Sequence, residues 1–231
     1  MTYRSIWDKV PDQYWKDNEI AAKFINQVNF HPGRINDLMG DIKKDLVGKE
    51  TLDLGCGPRL LGSKANVDLC IYSNSKTSGS FVIASGEYLP FKDESFDAVT
   101  SIEVIEHVHN PTLLLVEIKR VLRKGGVLYM TTPNAAHLSI TLRYLIGHRL
   151  TIHCDHRNSW NWEMLAWLFH LCGFEELDVF TWGFVDDMKV SGKKVKNYRS
   201  YQICNFLDML GFKFPFLYLN IYVKATKEVG Q

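Results

Sequence analysis

The run LDLGCGP, Leu52 to Pro58, constrains this chain more than any other stretch, because a short apolar strand passes directly into a turn containing two glycines. Glycine carries no side chain and takes positive φ freely, so Gly55 and Gly57 let the chain reverse while leaving bare backbone open to a ligand. The next strand-like run, ANVDL, ends near Asp68, an acid placed to accept both hydroxyls of a ribose. The combination points to a nucleoside-containing ligand. A nicotinamide dinucleotide fits poorly, since its pyrophosphate wants a third glycine and free amides at the start of a full helix. Here Leu60 occupies the third position, Pro58 removes an amide, and only Pro58 to Ala65 separate the turn from the next strand. That is short for a parallel crossover, which usually needs a dozen residues or more. A phosphate-free cofactor is the better match.

Length and composition set the class. With 231 residues, 46% apolar and 23% charged, the chain can bury one α/β core and has no signature of disorder or fibre. A net charge of +1 argues against a global nucleic-acid footprint. The five cysteines, Cys56, Cys70, Cys154, Cys172 and Cys204, are odd in number and scattered, and read as reduced thiols. No run is apolar enough for a membrane span and the start has no signal-peptide core, so a soluble, cytoplasmic protein is expected.

Two helix-like segments precede the glycine turn, one with Ile20, Phe24, Ile25 and Val28 on a face and one with Ile35, Leu38, Met39 and Ile42. They predict a helical cap over residues 1–48. Strand-like runs then alternate with connectors: TLDLG, ANVDL, SFVIA, FDAVTSIE and, after a helix, GGVLYMTTP. This alternation predicts a doubly wound, mostly parallel Rossmann-like sheet with helices on both faces. The helix before GGVLYMTTP has Asn110 as N-cap, Pro111 at its first position, and Leu114, Ile118, Val121 and Leu122 inward, with Gly125 and Gly126 expected to stop it. After a histidine- and arginine-rich insertion from Asn134 to Ser159 comes a helix carrying Leu165, Leu168, Phe169 and Cys172, then the strand EELDVFTWGF. A lysine-rich segment, a helix near Tyr201 to Leu210 and the strand FPFLYLNIYVKA complete the chain. A single domain is expected, with a core over 49–134 and a substrate-side insertion and final strands over 135–231.

The ordered set LDLGCGP, GEYLPFKDESFDAVTSIEVIEHV (Gly86 to Val108) and EIKRVLRKGGVLYMTTPN (Glu117 to Asn134) resembles the class I S-adenosylmethionine-dependent methyltransferases, the ubiquinone and menaquinone methyltransferase group in particular. The resemblance is close from Thr51 to Asn134 and loose beyond. It implies a seven-stranded sheet with the last strand antiparallel between its neighbours. It implies S-adenosylmethionine as cofactor, with Asp53, Gly55, Cys56 and Gly57 around the methionine portion and Asp68 on the ribose. Asp53 reads equally as a strand-end acid tying down backbone amides. Ser85, Gly86, Glu87 and Tyr88 match the family's adenine-edge loop, where Ser85 replaces the usual aspartate and removes charge assistance. Ser101, Ile102 and Glu103 fall at the carboxyl edge of the fourth strand, where backbone should approach the cofactor.

A sulfonium already activates its methyl group, so transfer needs chiefly alignment and exclusion of water. A hydroxyl acceptor would gain from a general base near neutral pH, and His107 is the first candidate, followed by His153 and His156. His107 reads equally as a structural imidazole. The stretch Arg143 to Trp160 gathers Arg143, Arg149 and Arg157, which suit phosphate or carboxylate on a small or lipid-linked acceptor, or else a solvated basic loop. The segment H-C-D-H within it matches no zinc pattern, and no metal is expected. O-methylation is the favoured chemistry. A tRNA-modifying methyltransferase would need a basic path, for which Lys189 to Arg199 is the extra contributor, and a non-catalytic cofactor-binding module is the third option.

Overall fold

The computed structural model describes residues 12–32, 38–57, 61, 63–70, 79–145, 155–182, 189–190, 193–194 and 220–228. In chain order these form α1 (Asp12–Ile25), β1 (Asn29–Pro32), α2 (Leu38–Leu46), β2 (Thr51–Leu54), β3 (Ala65–Asp68), β4 (Ser80–Ile83), β5 (Phe96–Ile102), α3 (Pro111–Val121), β6 (Leu122–Pro133), α4 (Leu138–Leu145), α5 (Trp162–Leu171), β7 (Glu176–Trp182), β8 (Lys189–Val190), β9 (Lys193–Lys194) and β10 (Asn220–Thr226). The expected helix near Tyr201 to Leu210 lies outside the described residues.

One sheet of eight strands carries the fold in the order β1-β7-β10-β6-β5-β2-β3-β4. From β4 to β6 every pairing is parallel, and β2, the strand of the glycine run, sits between β3 and β5. All four residues of β2 are buried, as a parallel strand covered on both faces requires. β10 lies antiparallel between β6 and β7, as the family resemblance implies. The eighth strand is β1, which pairs in parallel with β7 at the sheet edge. Its sequence, NFHP, has no apolar alternation and ends in proline, so it is tolerable only at an edge.

Helices close the two faces. On one, Leu114, Leu115, Ile118 and Val121 of α3 and Leu165, Ala166 and Phe169 of α5 join Leu52, Leu54, Val67, Val99, Leu128 and Met130 in one core. On the other, Leu38, Ile42 and Leu46 of α2 pack with Ala98, Tyr129 and Tyr222. Of the predicted N-terminal face, Phe24, Ile25 and Val28 pack against the core while Ile20 is half exposed. Phe24 stacks on His170 of α5 with ring centroids 4.1 Å apart.

α3 begins as its sequence demands. The Asn110 side chain accepts the Leu113 amide at 3.0 Å and Pro111 follows in the first turn. Its end corrects the expectation that Gly125 and Gly126 stop it. The helix stops at Val121, and Leu122 is already extended and paired with Phe96 of β5. Strand pairing wins over helix extension there, and the glycines instead form a pair of backbone bonds with Lys227: the Gly125 amide donates to Lys227 and the Lys227 amide to Gly126. Asn110→Ala should cost about 1 kcal/mol of unfolding free energy in urea denaturation, and Asn110→Ser should restore most of it. Equal stability of wild type and Asn110→Ala would remove the cap from the account.

Candidate active site

Strand order reverses around β2, and the carboxyl ends of β2, β3, β4 and β5 there enclose a cleft of about 390 Å³. A switch point in an open α/β sheet leaves such a crevice because flanking connections leave to opposite faces. Its lining includes Gly55, Gly57, Asp68, Leu69, Ala84, Ser85, Gly86 and Glu87 on one side and Glu103, Val104, His107, His109, Asp155 and Arg157 on the other.

The glycine turn is held by β3. The amides of Gly55 and Cys56 both donate to the Val67 carbonyl, at 2.8 and 3.2 Å. Gly57 donates to Asp68 Oδ2 at 2.9 Å, while the amide of Leu69 donates to Oδ1 at 2.7 Å. Asp68 therefore braces the turn it faces, and a carboxylate with about four lone-pair sites keeps acceptor capacity beyond these bonds. Gly55 has φ +66° and a Cβ there would meet Val104 Cγ2 at 2.4 Å; Gly57 has φ +54° and open space beside it. The first glycine is needed for packing, and the second keeps the cleft open.

Behind the turn, Asp53 is buried. Its Oδ1 accepts the Thr100 hydroxyl at 2.7 Å, and Oδ2 has no hydrogen-bond partner of normal geometry. Burial pushes the carboxyl up to about 6, against the pull of the Thr100 hydroxyl. Cys56 is buried and its thiol is pushed up to about 11, mainly by burial, which leaves it inert as a nucleophile. Ser101 is fully buried and Ile102 packs toward α2, so neither side chain lines the cleft.

The loop after β4 is tied down at several points. Ser85 Oγ accepts the Glu87 amide at 3.2 Å, and Glu87 Oε1 accepts the Asn110 amide at 2.6 Å. A Cβ on Gly86 would meet Leu114 Cδ1 at 2.7 Å, so the loop lies hard against α3. Arg120 forms a two-pronged pair with Glu117 and donates to the carbonyls of Leu89 and Phe91, which fixes the loop's exit. Tyr88 is 72% exposed and stands outside the lining.

Residues after β5 make the opposite wall. Glu103 takes φ +56°, a conformation uncommon outside glycine, with its carboxylate accepting the Thr131 hydroxyl at 2.8 Å. It is open to the cleft, yet crowding by its surroundings pushes its carboxyl up to about 7, with the Glu106 carboxylate adding to the effect. Glu106 is buried and likewise raised to about 7, chiefly by burial, with Oε2 accepting the Thr132 hydroxyl at 3.0 Å and Oε1 without a hydrogen-bond partner. The Glu106 carbonyl accepts the amides of Arg157 and Asn158 at 2.7 and 3.0 Å. That pins residues 155–158 onto the 103–109 wall. His107 Nδ1 thus lies 3.5 Å from Asp155 Oδ2, its Nε2 lies 3.8 Å from Glu106 Oε1, and its ring meets His156 edge-on at 4.8 Å.

Of the candidate catalytic residues, His107 and His156 come together and His153 lies outside the described residues. Arg157 lines the cleft with Nη1 3.3 Å from His109 Nδ1. Arg149 lies outside the described residues, and Arg143 is in α4, where only its backbone is described. Sequence reasoning did not single out Leu69, Val104 or Asp155 as site residues. An apolar residue directly after the ribose acid was the available signal for Leu69, which is 73% exposed.

Residues 52–130 match the family model described as "Methyltransferase domain". The "Ubiquinone biosynthesis O-methyltransferase" of Pelagibacter ubique is 27% identical over 154 residues, 55% of this chain and 62% of that protein. In fold, the chain is similar to a SAM-dependent methyltransferase of Thermotoga maritima, at TM-score 0.61 and 19% identity over 94% of this chain and 97% of that one. Over residues 52–130, and in fold, the chain is similar to the class I S-adenosylmethionine-dependent methyltransferases. It spans about three-fifths of the length of the curated relatives it matches. A further neighbour in fold is phosphoethanolamine N-methyltransferase 2 of Haemonchus contortus in complex with S-adenosyl-L-methionine, at TM-score 0.54 and 19% identity over 99% of this chain and 60% of that one.

The residues present fit the family's cofactor. Bare backbone at Gly57 gives it room and Asp68 supplies an acceptor for hydroxyls, while Asp53 is buried behind the turn and off the lining. For Asp53, a carboxyl raised in the fold favours its protonated form, so the stability present below about pH 4 is lost as pH rises to about 6. Between pH 4 and 7 the ligand-free wild type should lose on the order of 3 kcal/mol that Asp53→Asn does not lose, measured by denaturant unfolding at both pH values. Parallel pH profiles would contradict a carboxyl raised by burial at this position.

Proposed function

We propose that the protein transfers a methyl group from S-adenosylmethionine to an oxygen atom of a small or lipid-linked acceptor bearing an anionic group. The observation that carries this reading is one cleft lined both by the glycine turn with its acid and by an imidazole–carboxylate–guanidinium wall. The first half suits a nucleoside and an amino acid, and the second suits a polar acceptor. When bound, the cofactor supplies a sulfonium-activated methyl group.

The chain's own residues do the binding and aligning. Asp68 accepts ribose hydroxyls with the oxygen capacity left after bracing Gly57 and Leu69. Leu69 and Ala84 offer apolar surface to a base, and Ser85 offers a hydroxyl already shared with Glu87. Gly55 and Gly57 admit the amino-acid portion. His107 stands at the acceptor end, and Arg157, a guanidinium on the lining, takes the acceptor's anionic group. An oxygen acceptor is favoured by the name of the Pelagibacter relative, an O-methyltransferase of ubiquinone biosynthesis.

Calorimetry with S-adenosylhomocysteine should give binding that Asp68→Ala weakens by about 1.5–3 kcal/mol, the loss of hydrogen bonds to a charged group. Methyl transfer from labelled cofactor should appear in metabolite or lipid fractions, and Arg157→Ala should raise KM for the acceptor about tenfold while changing kcat little. Unchanged affinity in Asp68→Ala removes that residue from the site. Label found only in RNA, with a steep salt dependence, overturns the acceptor in favour of nucleic acid.

A further inference from the structure

We propose that Glu106, His107 and His156 bind a divalent transition-metal ion beside the cleft, with His107 on its lining. One ligand atom from each of the three lies within 4.8 Å of the others, and His107 Nε2 is 3.8 Å from Glu106 Oε1. Metal–ligand bonds of about 2.0–2.2 Å hold neighbouring ligand atoms roughly 3.0–3.5 Å apart, so closure onto an ion needs only small side-chain rotations.

Glu106 marks the site independently of this spacing. The residue is 1% exposed, and its Oε1 has no hydrogen-bond partner while Oε2 is occupied by the Thr132 hydroxyl. A buried carboxylate oxygen without a partner is costly, and an ion between it and the imidazoles offsets that cost. The arrangement around His107 matches the outer-shell support that metal-bound imidazoles receive. Nδ1 lies 3.3 Å from the Asp155 carbonyl oxygen and 3.5 Å from its carboxylate, which orients the ring and leaves Nε2 toward Glu106. The backbone bonds from Arg157 and Asn158 to the Glu106 carbonyl hold His156 beside that ring before any ion arrives. The carboxyl groups of Glu106 and Asp155 flank the His107 imidazole, and Arg157 is turned to His109.

Two imidazoles and one carboxylate are a donor set for zinc, cobalt, nickel or manganese, whereas magnesium and calcium prefer oxygen donors throughout. Three protein ligands leave coordination positions for an exogenous oxygen donor. If the methyl-transfer reading holds, that donor is the acceptor hydroxyl, and His107 serves as a ligand rather than as the base.

The test is Co²⁺ binding to chelator-treated full chain without cofactor, followed by visible absorption, so that its outcome is separate from cofactor binding. One equivalent should give a saturable spectrum that Zn²⁺ abolishes by displacement. His156→Ala and Glu106→Gln should each weaken Co²⁺ binding at least tenfold, in variants whose circular dichroism is that of wild type. His170→Ala, on α5 against Phe24, should bind as wild type does. His156, half-buried and outside the core, is the variant to judge by if Glu106→Gln fails to fold. No Co²⁺ spectrum at millimolar ion, or wild-type affinity in folded His156→Ala, overturns the proposal.

Discussion

The carboxylate of Asp68 is the interaction on which the site depends. By accepting the amides of Gly57 and Leu69 together, it joins the end of β3 to the turn after β2. The Val67 carbonyl adds two more bonds from the same turn. Val104, just after β5, can close against this turn because Gly55 places hydrogen where a Cβ would strike it. Loss of that geometry would deform the mouth of β2 and leave the remaining cleft residues without a common origin.

A second set of constraints builds the opposite wall, and it is mostly polar. Thr131 and Thr132 of β6 hold Glu103 and Glu106, while the Glu106 carbonyl captures the strap at 155–158. Pairing of β5 with β6 therefore sets not only the sheet but the carboxylates on its edge. Burial is the main cause that raises the carboxyls of Asp53, Glu103 and Glu106, and neighbouring carboxylates add to it. A cationic cofactor, and an ion at the histidines, would each offset part of that rise.

Much of this was legible in the sequence, for reasons that differ by element. β2, β3, β5 and β6 announce themselves as apolar runs because parallel strands are covered on both faces. The antiparallel insertion of β10 came from the family resemblance, since periodicity carries no strand order. β1 was missed because four residues at an edge need no pattern. The end of α3 was misread because tertiary pairing of Leu122 overrode the glycine signal. Gly55, Gly57 and Asp68 could be chosen from their spacing, but the meeting of His107 with Asp155 and His156 could not. It joins residues 48 positions apart through backbone bonds that leave no mark in composition.

Hydrogen exchange read by mass spectrometry, with and without saturating S-adenosylhomocysteine, tests the central claim most directly: one cleft at the switch point of the sheet holds the cofactor. The account predicts added protection in peptides covering 52–57, 66–70, 84–88 and 103–107. Peptides from the opposite edge, β1 and the start of β7, should stay unchanged. Protection confined to that edge, or none at any of the four segments at saturating ligand, would contradict it.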